Sequence, residues 1–232
     1  MSTPTPATPA ELLASLLAAL PSALPTTMTA AGPTPTAGND LYEAYLFGLV
    51  LIAARREGFN ITLADADGPA TVLCLRRGPG RLPSGGRPGA RFTHAVLACP
   101  PRPALELHTG VSVVGQSKVP HEADVLVLPQ ADADRCRNLD LDPRGRDAEL
   151  LIEAKYYTNP VGLDTGREFL GLCSDISAKH KVFAATLVGG SVVSLFSGKS
   201  VSHDIGVLPR RRGEESLLSL IERILRDYRS HR

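Results

Sequence analysis

From Leu41 to Glu57 the chain reads LYEAYLFGLVLIAARRE, apolar almost all the way round a helix. A helix of that kind needs protein on nearly every side, and 232 residues are enough to supply it. Asn39 or Asp40 is placed to cap it and Gly58 to end it. The rest of the chain must therefore build layers that cover this helix. Runs of strand-forming residues at 61–64, 70–75, 92–99 and 104–114 offer one layer, continued by EADVLVL (122–128) and LLIEAKYY (150–157). The polar segment 129–149 reads as a long exposed loop. A helix is expected over 165–179, strands over 181–188 and 191–197, and a closing helix over 214–229 with Leu217, Leu218, Ile221, Ile224 and Leu225 on one face. This order predicts an α/β fold, a mixed central β-sheet flanked by helices.

Two units are expected: a Pro/Thr/Ala-rich arm over 1–38 and a domain over 39–232. Within the arm, Thr8-Pro9-Ala10-Glu11 reads as a capping box with proline at the first helical position. Leu12, Leu13, Leu16, Leu17 and Leu20 follow at helical spacing. That short helix is expected to dock on its own domain, with a second copy of the chain (a homodimer) or a partner protein as the alternative. Residues 21–38 are expected to lack regular structure.

The arm has no basic leader, and Pro21 and Pro25 interrupt its apolar residues, so neither a signal peptide nor a membrane span is expected. None of the four cysteines forms a CxxC pair, and the expectation is reduced thiols in a cytoplasmic protein. The formal net charge of +1 gives no global basic field. Any nucleic-acid surface must then be a local patch. The loop RRGPGRLPSGGRPGAR (76–91), which begins with Arg76 and Arg77, is one candidate, with a solvated loop as the plain alternative.

LLIEAKYY carries the chemistry. In a strand, residues two apart share a face, so Glu153 and Lys155 project together from an apolar element. Burial costs both groups hydration, so they are either a structural ion pair or a working site. Asp124 opens the apolar strand EADVLVL, and adjacency of the two strands would bring two carboxylates together. Such carboxylates repel unless a cation lies between them, and Mg²⁺, a hard oxygen-seeking ion, suits them, with Mn²⁺ as the alternative. Five of the 25 basic residues are lysines. Lys155 is thus not a default choice, and unlike arginine it can take part in proton transfer. Glu122 is expected on the opposite side of its strand, and His108, His121 and His180 as ordinary surface or loop histidines. Tyr156 and Tyr157 are expected to pack beside the strand.

Asp124 followed by Glu153-Ala154-Lys155 at the end of an apolar strand resembles the PD-(D/E)xK superfamily of restriction-endonuclease-like nucleases. LLIEAKYYTNPVGLDTGREFLGL looks most like its Mrr-type branch. The resemblance covers residues 39–198. Ala123 stands where the family pattern names proline. The resemblance implies a metal-dependent endonuclease acting on DNA in restriction, phage defence or repair. Asp124 and Glu153 would bind Mg²⁺, Lys155 would assist the attacking water, Glu43 would add a ligand from the first helix, and Arg167 would contact phosphate. RNA as substrate, or a binding or assembly module of the same fold that does not cut, are the alternatives.

Overall fold

The computed structural model describes residues 38–76, 78–83 and 92–230, together with Ala14 and Thr29–Ala30. The helix expected from Pro9, most of 21–38, Arg77 and residues 84–91 lie outside the described residues. Two departures touch the arm. Thr29–Ala30 pair in parallel with Val72–Leu73, and the first helix of the domain already begins at Gly38.

That helix, α1 (Gly38–Arg56), is buried over most of its circumference. It ends as its sequence predicts: Gly58 takes φ +79° and Phe59 N–H reaches back to Ala54 O at 3.0 Å. The strands are β1 (Asn60–Asp65), β2 (Gly68–Pro69), β3 (His94–Ala98), β4 (Leu105–Val114), β5 (Pro120–Pro129), β6 (Leu150–Lys155), β7 (His180–Ala185) and β8 (Ser202–Ile205). They form one eight-stranded sheet in the order β8-β7-β6-β5-β4-β3-β1-β2. β7 runs parallel to both β6 and β8, and the other pairings are antiparallel. The mixed sheet expected from the sequence is present.

Helices cover both faces. α1 and the closing helix α5 (Arg212–Ser230) bury Phe47, Leu51, Ile221 and Leu225 against Val125, Val127, Leu150 and Ile152. Alternate residues of the same strands, Leu126, Leu128 and Leu151, face a second core with Ala133 and Cys136 of α2 (Gln130–Leu139). A third core joins Phe169 of α3 (Leu163–Asp175), Phe183 of β7, and Val192 and Phe196 of α4 (Gly190–Gly198). An ion pair at 2.6 Å between the exposed Arg226 and the buried Glu57 ties α5 to the end of α1.

Three sequence expectations fail here. The supposed loop 129–149 contains α2, whose only buried residues are Ala133 and Cys136, too thin a stripe to read as helix. Its charged residues pair at i,i+3, Arg135 with Asp132 and Arg137 with Asp134. SVVSLFS (191–197) reads as strand by its branched residues but folds as α4, because Val192 and Phe196, four apart, together fill the third core. The edge strand is instead β8. In 70–75, only Val72–Leu73 form a strand, and it lies outside the main sheet.

Candidate metal-dependent site

β5 and β6 are antiparallel neighbours, with Val125 opposite Ile152. One step further along that register sets Glu153 across from Asp124. Asp124 is 8% exposed. Its Oδ2 accepts the backbone N–H of Ala154, between Glu153 and Lys155, at 2.7 Å. Lys155 Nζ lies 2.7 Å from Glu153 Oε1.

The strand changes face at Asp124. Ala123 belongs to the second core and Val125 to the first, although residues two apart in a regular strand point the same way. On the neighbouring β4, Leu107 and Val111 switch cores likewise, around Gly110 at φ +59°. A side chain at Gly110 would meet Gly78 O at 3.0 Å, so both its conformation and its surroundings favour glycine. The bend is where a carboxylate can leave the core and turn toward the end of β6.

Glu43, half-buried on α1, and Glu122 on β5 join the group. Burial and then the Glu153 charge push the Asp124 carboxyl up to about 7, while the Ala154 N–H and Lys155 pull it back. Glu43 is pushed up to about 9 by burial, then by Asp124, Glu122 and Asp40, with Lys155 opposing. Glu122 is raised by burial and by Glu153. Its charge is therefore coupled to that of Glu153. Lys155 is held above its ordinary value: burial pulls it down, but Glu153 and Asp124 outweigh that.

These groups are an electrostatically coupled set of four carboxyls with one lysine among them. Its donors are hard carboxylate oxygens, the chemistry that Mg²⁺ prefers. Among the described residues, no three His, Cys, Asp or Glu side chains are already grouped to hold a metal. Asp124 is turned to a backbone N–H and Glu153 to Lys155. The residues fit a divalent ion by charge and donor type, provided that Glu153 swings off Lys155.

The other candidates separate from this centre. Arg76 is folded back: its Nη2 donates to Arg81 O at 2.6 Å and its guanidinium lies 4.3 Å from the Phe92 ring centroid. Arg167 is exposed on α3 and pairs with Asp164 at 3.1 Å. Tyr156 packs beside the strand as expected, 6.0 Å ring to ring from Tyr42, whereas Tyr157 is 44% exposed.

Two histidines were misjudged. His121 is half-buried and bonds Asp175 Oδ2 at 2.7 Å. His108 is fully buried on β4, its Nε2 2.8 Å from Glu106 Oε2. Arg137 of α2 grips both oxygens of Glu106, at 2.5 and 3.1 Å, and His94 stacks on His108 at 4.8 Å. Glu106 and His108 are two apart in a strand, so the reasoning that found Glu153 and Lys155 could have found them. The bidentate arginine marks this second pair as a structural clamp between sheet and α2.

No helix among the described residues is long and apolar enough to cross a membrane. Comparison with family models, with curated proteins and with solved structures gave no match to this chain.

Proposed function

We propose that the chain is a metal-dependent phosphodiesterase of the PD-(D/E)xK kind, an endonuclease that cuts DNA. The observation that carries this reading is the seating of Asp124 on the Ala154 N–H, between Glu153 and Lys155, with the Glu43 carboxyl electrostatically coupled to Asp124. A structural ion pair needs one acid and one base. Here one lysine faces Glu43, Glu122, Asp124 and Glu153, and at least two of those carboxyls are pushed toward their neutral forms. Such crowding costs stability without a cation and favours binding one.

Asp124 and Glu153 would hold the ion, with Glu43 as an outer ligand. Mg²⁺ bound there would supply charge for the scissile phosphate and acidify a coordinated water. Lys155 Nζ, freed from Glu153, would hold the attacking water or offset charge on the phosphate oxygens. The half-buried setting of Glu153 and Lys155 keeps these charges poorly screened, so each counts for more than at the surface.

A second reading has its own observation. The 2.7 Å contact from Lys155 to Glu153 is what a non-cutting module with a strand-borne salt bridge would show. One assay separates them: supercoiled DNA, single-stranded DNA and RNA, each with and without Mg²⁺. Mg²⁺-dependent nicking of the supercoil is expected. Cleavage of RNA alone would move the substrate class, and binding without any cleavage would favour the second reading.

A further inference from the structure

Away from Asp124, the β4–β5 hairpin (115–119), the segment 143–147 and the end of α3 enclose a pocket of about 470 Å³. Lys118, Arg144 and Arg146 line it. Neither Lys118 nor Arg144 pairs with a carboxylate among the described residues, and Arg146 reaches Asp147 only at 3.8 Å. The one acid in the wall, Asp175, is fully engaged. Its Oδ1 accepts Ser117 N–H at 2.7 Å, and its Oδ2 meets Ser117 Oγ at 2.5 Å and His121 Nε2 at 2.7 Å. Those three donors hold its carboxyl down at about 2, so it stays a fixed brace of the hairpin.

The wall is built around that brace. A Cβ at Gly115 would collide with the Asp175 carboxylate, and a Cβ at Gly145 would come within 2.7 Å of Ile176 Cγ2. Both lining glycines are therefore dictated by close packing, which fixes the pocket's shape rather than leaving a loose surface dip. Gln116 Nε2 donates to Ser177 Oγ at 2.8 Å, so amide and hydroxyl groups also stand at the rim. Three guanidinium or ammonium groups against the single, hydrogen-bonded carboxylate of Asp175 make a net positive, preformed hollow. Its volume suits a nucleotide-sized body, and arginine is the side chain best shaped for phosphate oxygens.

We propose that this pocket is a phosphate-binding site, taking the phosphate of a nucleotide through Lys118, Arg144 and Arg146. It shares no residue with the Asp124 site and does not rest on the cleavage reading. The phosphate can belong to a free nucleotide or to one residue of a strand.

Both sources are tested by calorimetric titration of the full chain without divalent metal, using AMP, adenosine, pyrophosphate and a short single-stranded oligonucleotide. AMP and pyrophosphate are expected to bind and adenosine not. Arg144→Gln and Lys118→Gln, both at exposed positions, should each weaken binding by about tenfold, a typical loss for one charge-assisted contact. Asp124→Asn should leave binding unchanged, which separates this site from the proposed catalytic one. An oligonucleotide that binds more tightly than AMP, and loses that gain in the two variants, would assign the phosphate to a strand. Equal binding would assign it to a free nucleotide. No binding of any phosphate compound, or binding that neither variant weakens, would overturn the proposal.

Discussion

Asp124 Oδ2 accepts the N–H of Ala154 at 2.7 Å, so the acid of β5 is anchored to the backbone that carries Glu153 and Lys155. One hydrogen bond thereby registers two strands at the place where the chemistry is proposed. Asp124→Asn keeps an oxygen that can accept that N–H and removes the charge. Cleavage should fall by at least about a hundredfold, by analogy with loss of a preorganised charge. The fold should survive, with stability at neutral pH raised by on the order of 1–3 kcal/mol as repulsion is relieved. Plasmid nicking and chemical melts check both halves.

The raised carboxyls fix a pH dependence. Asp124 is pushed up to about 7 and Glu43 to about 9, above their ordinary values of 3.8 and 4.5. A raised carboxyl stabilises the fold fully below its unfolded pKa and loses that contribution as pH rises through its folded pKa. Stability should therefore decline from about pH 4 to pH 9, and Glu43→Gln should flatten the upper part of that slope. Urea melts across the range measure it. Mg²⁺ should also bind more tightly as pH rises, releasing protons on binding. Calorimetry in buffers of different ionisation enthalpy counts those protons.

Lys155→Ala removes the base that faces all these acids. It should abolish cleavage and cost about 1–3 kcal/mol. That is less than the usual loss for a fully buried pair, because the lysine side chain is 26% exposed. Added Mg²⁺ should recover part of that stability, since the ion takes over the missing positive charge. A variant whose melt ignores Mg²⁺ would count against the shared-cation account.

The clamp on the other side of the sheet gives a control. Glu106 is 1% exposed, and Glu106→Gln would leave the Arg137 charge without its buried partner. A loss of ~3–5 kcal/mol is expected. Where the variant remains folded, cleavage should persist. His94 here is lowered to about 4 by burial first and then by His108. A depressed histidine contributes stability above its unfolded value of 6.5 and loses it as pH falls toward 4. Acid melts of wild type and His94→Gln should differ in that window.

The sheet, α1 and α5 are legible in the sequence because their apolar patterns are long: LYEAYLFGLVLIAARRE is apolar almost all round, and Leu217, Leu218, Ile221 and Ile224 mark the one buried face of α5. α2 was hidden because it buries only Ala133 and Cys136, and α4 because branched residues favour a strand until tertiary packing decides otherwise. Asp124, Glu153 and Lys155 stood out as charges in apolar strands. Glu122 is expected away from the site, yet it stands two residues before Asp124, and alternation by itself puts two such residues on one face. The Lys118, Arg144 and Arg146 pocket joins segments distant in sequence and leaves no local motif.

The central claim is that Asp124 and Glu153 are placed together to share a divalent ion. Thermal melts of wild type and Glu153→Gln, each with and without Mg²⁺, test it most directly. The account predicts that Mg²⁺ raises the wild-type melting temperature by several degrees. Glu153→Gln should melt close to the metal-free wild type and gain little from the ion. A wild type indifferent to Mg²⁺, beside a Glu153→Gln variant that melts far lower, would show that Glu153 exists to pair Lys155 and would contradict the account.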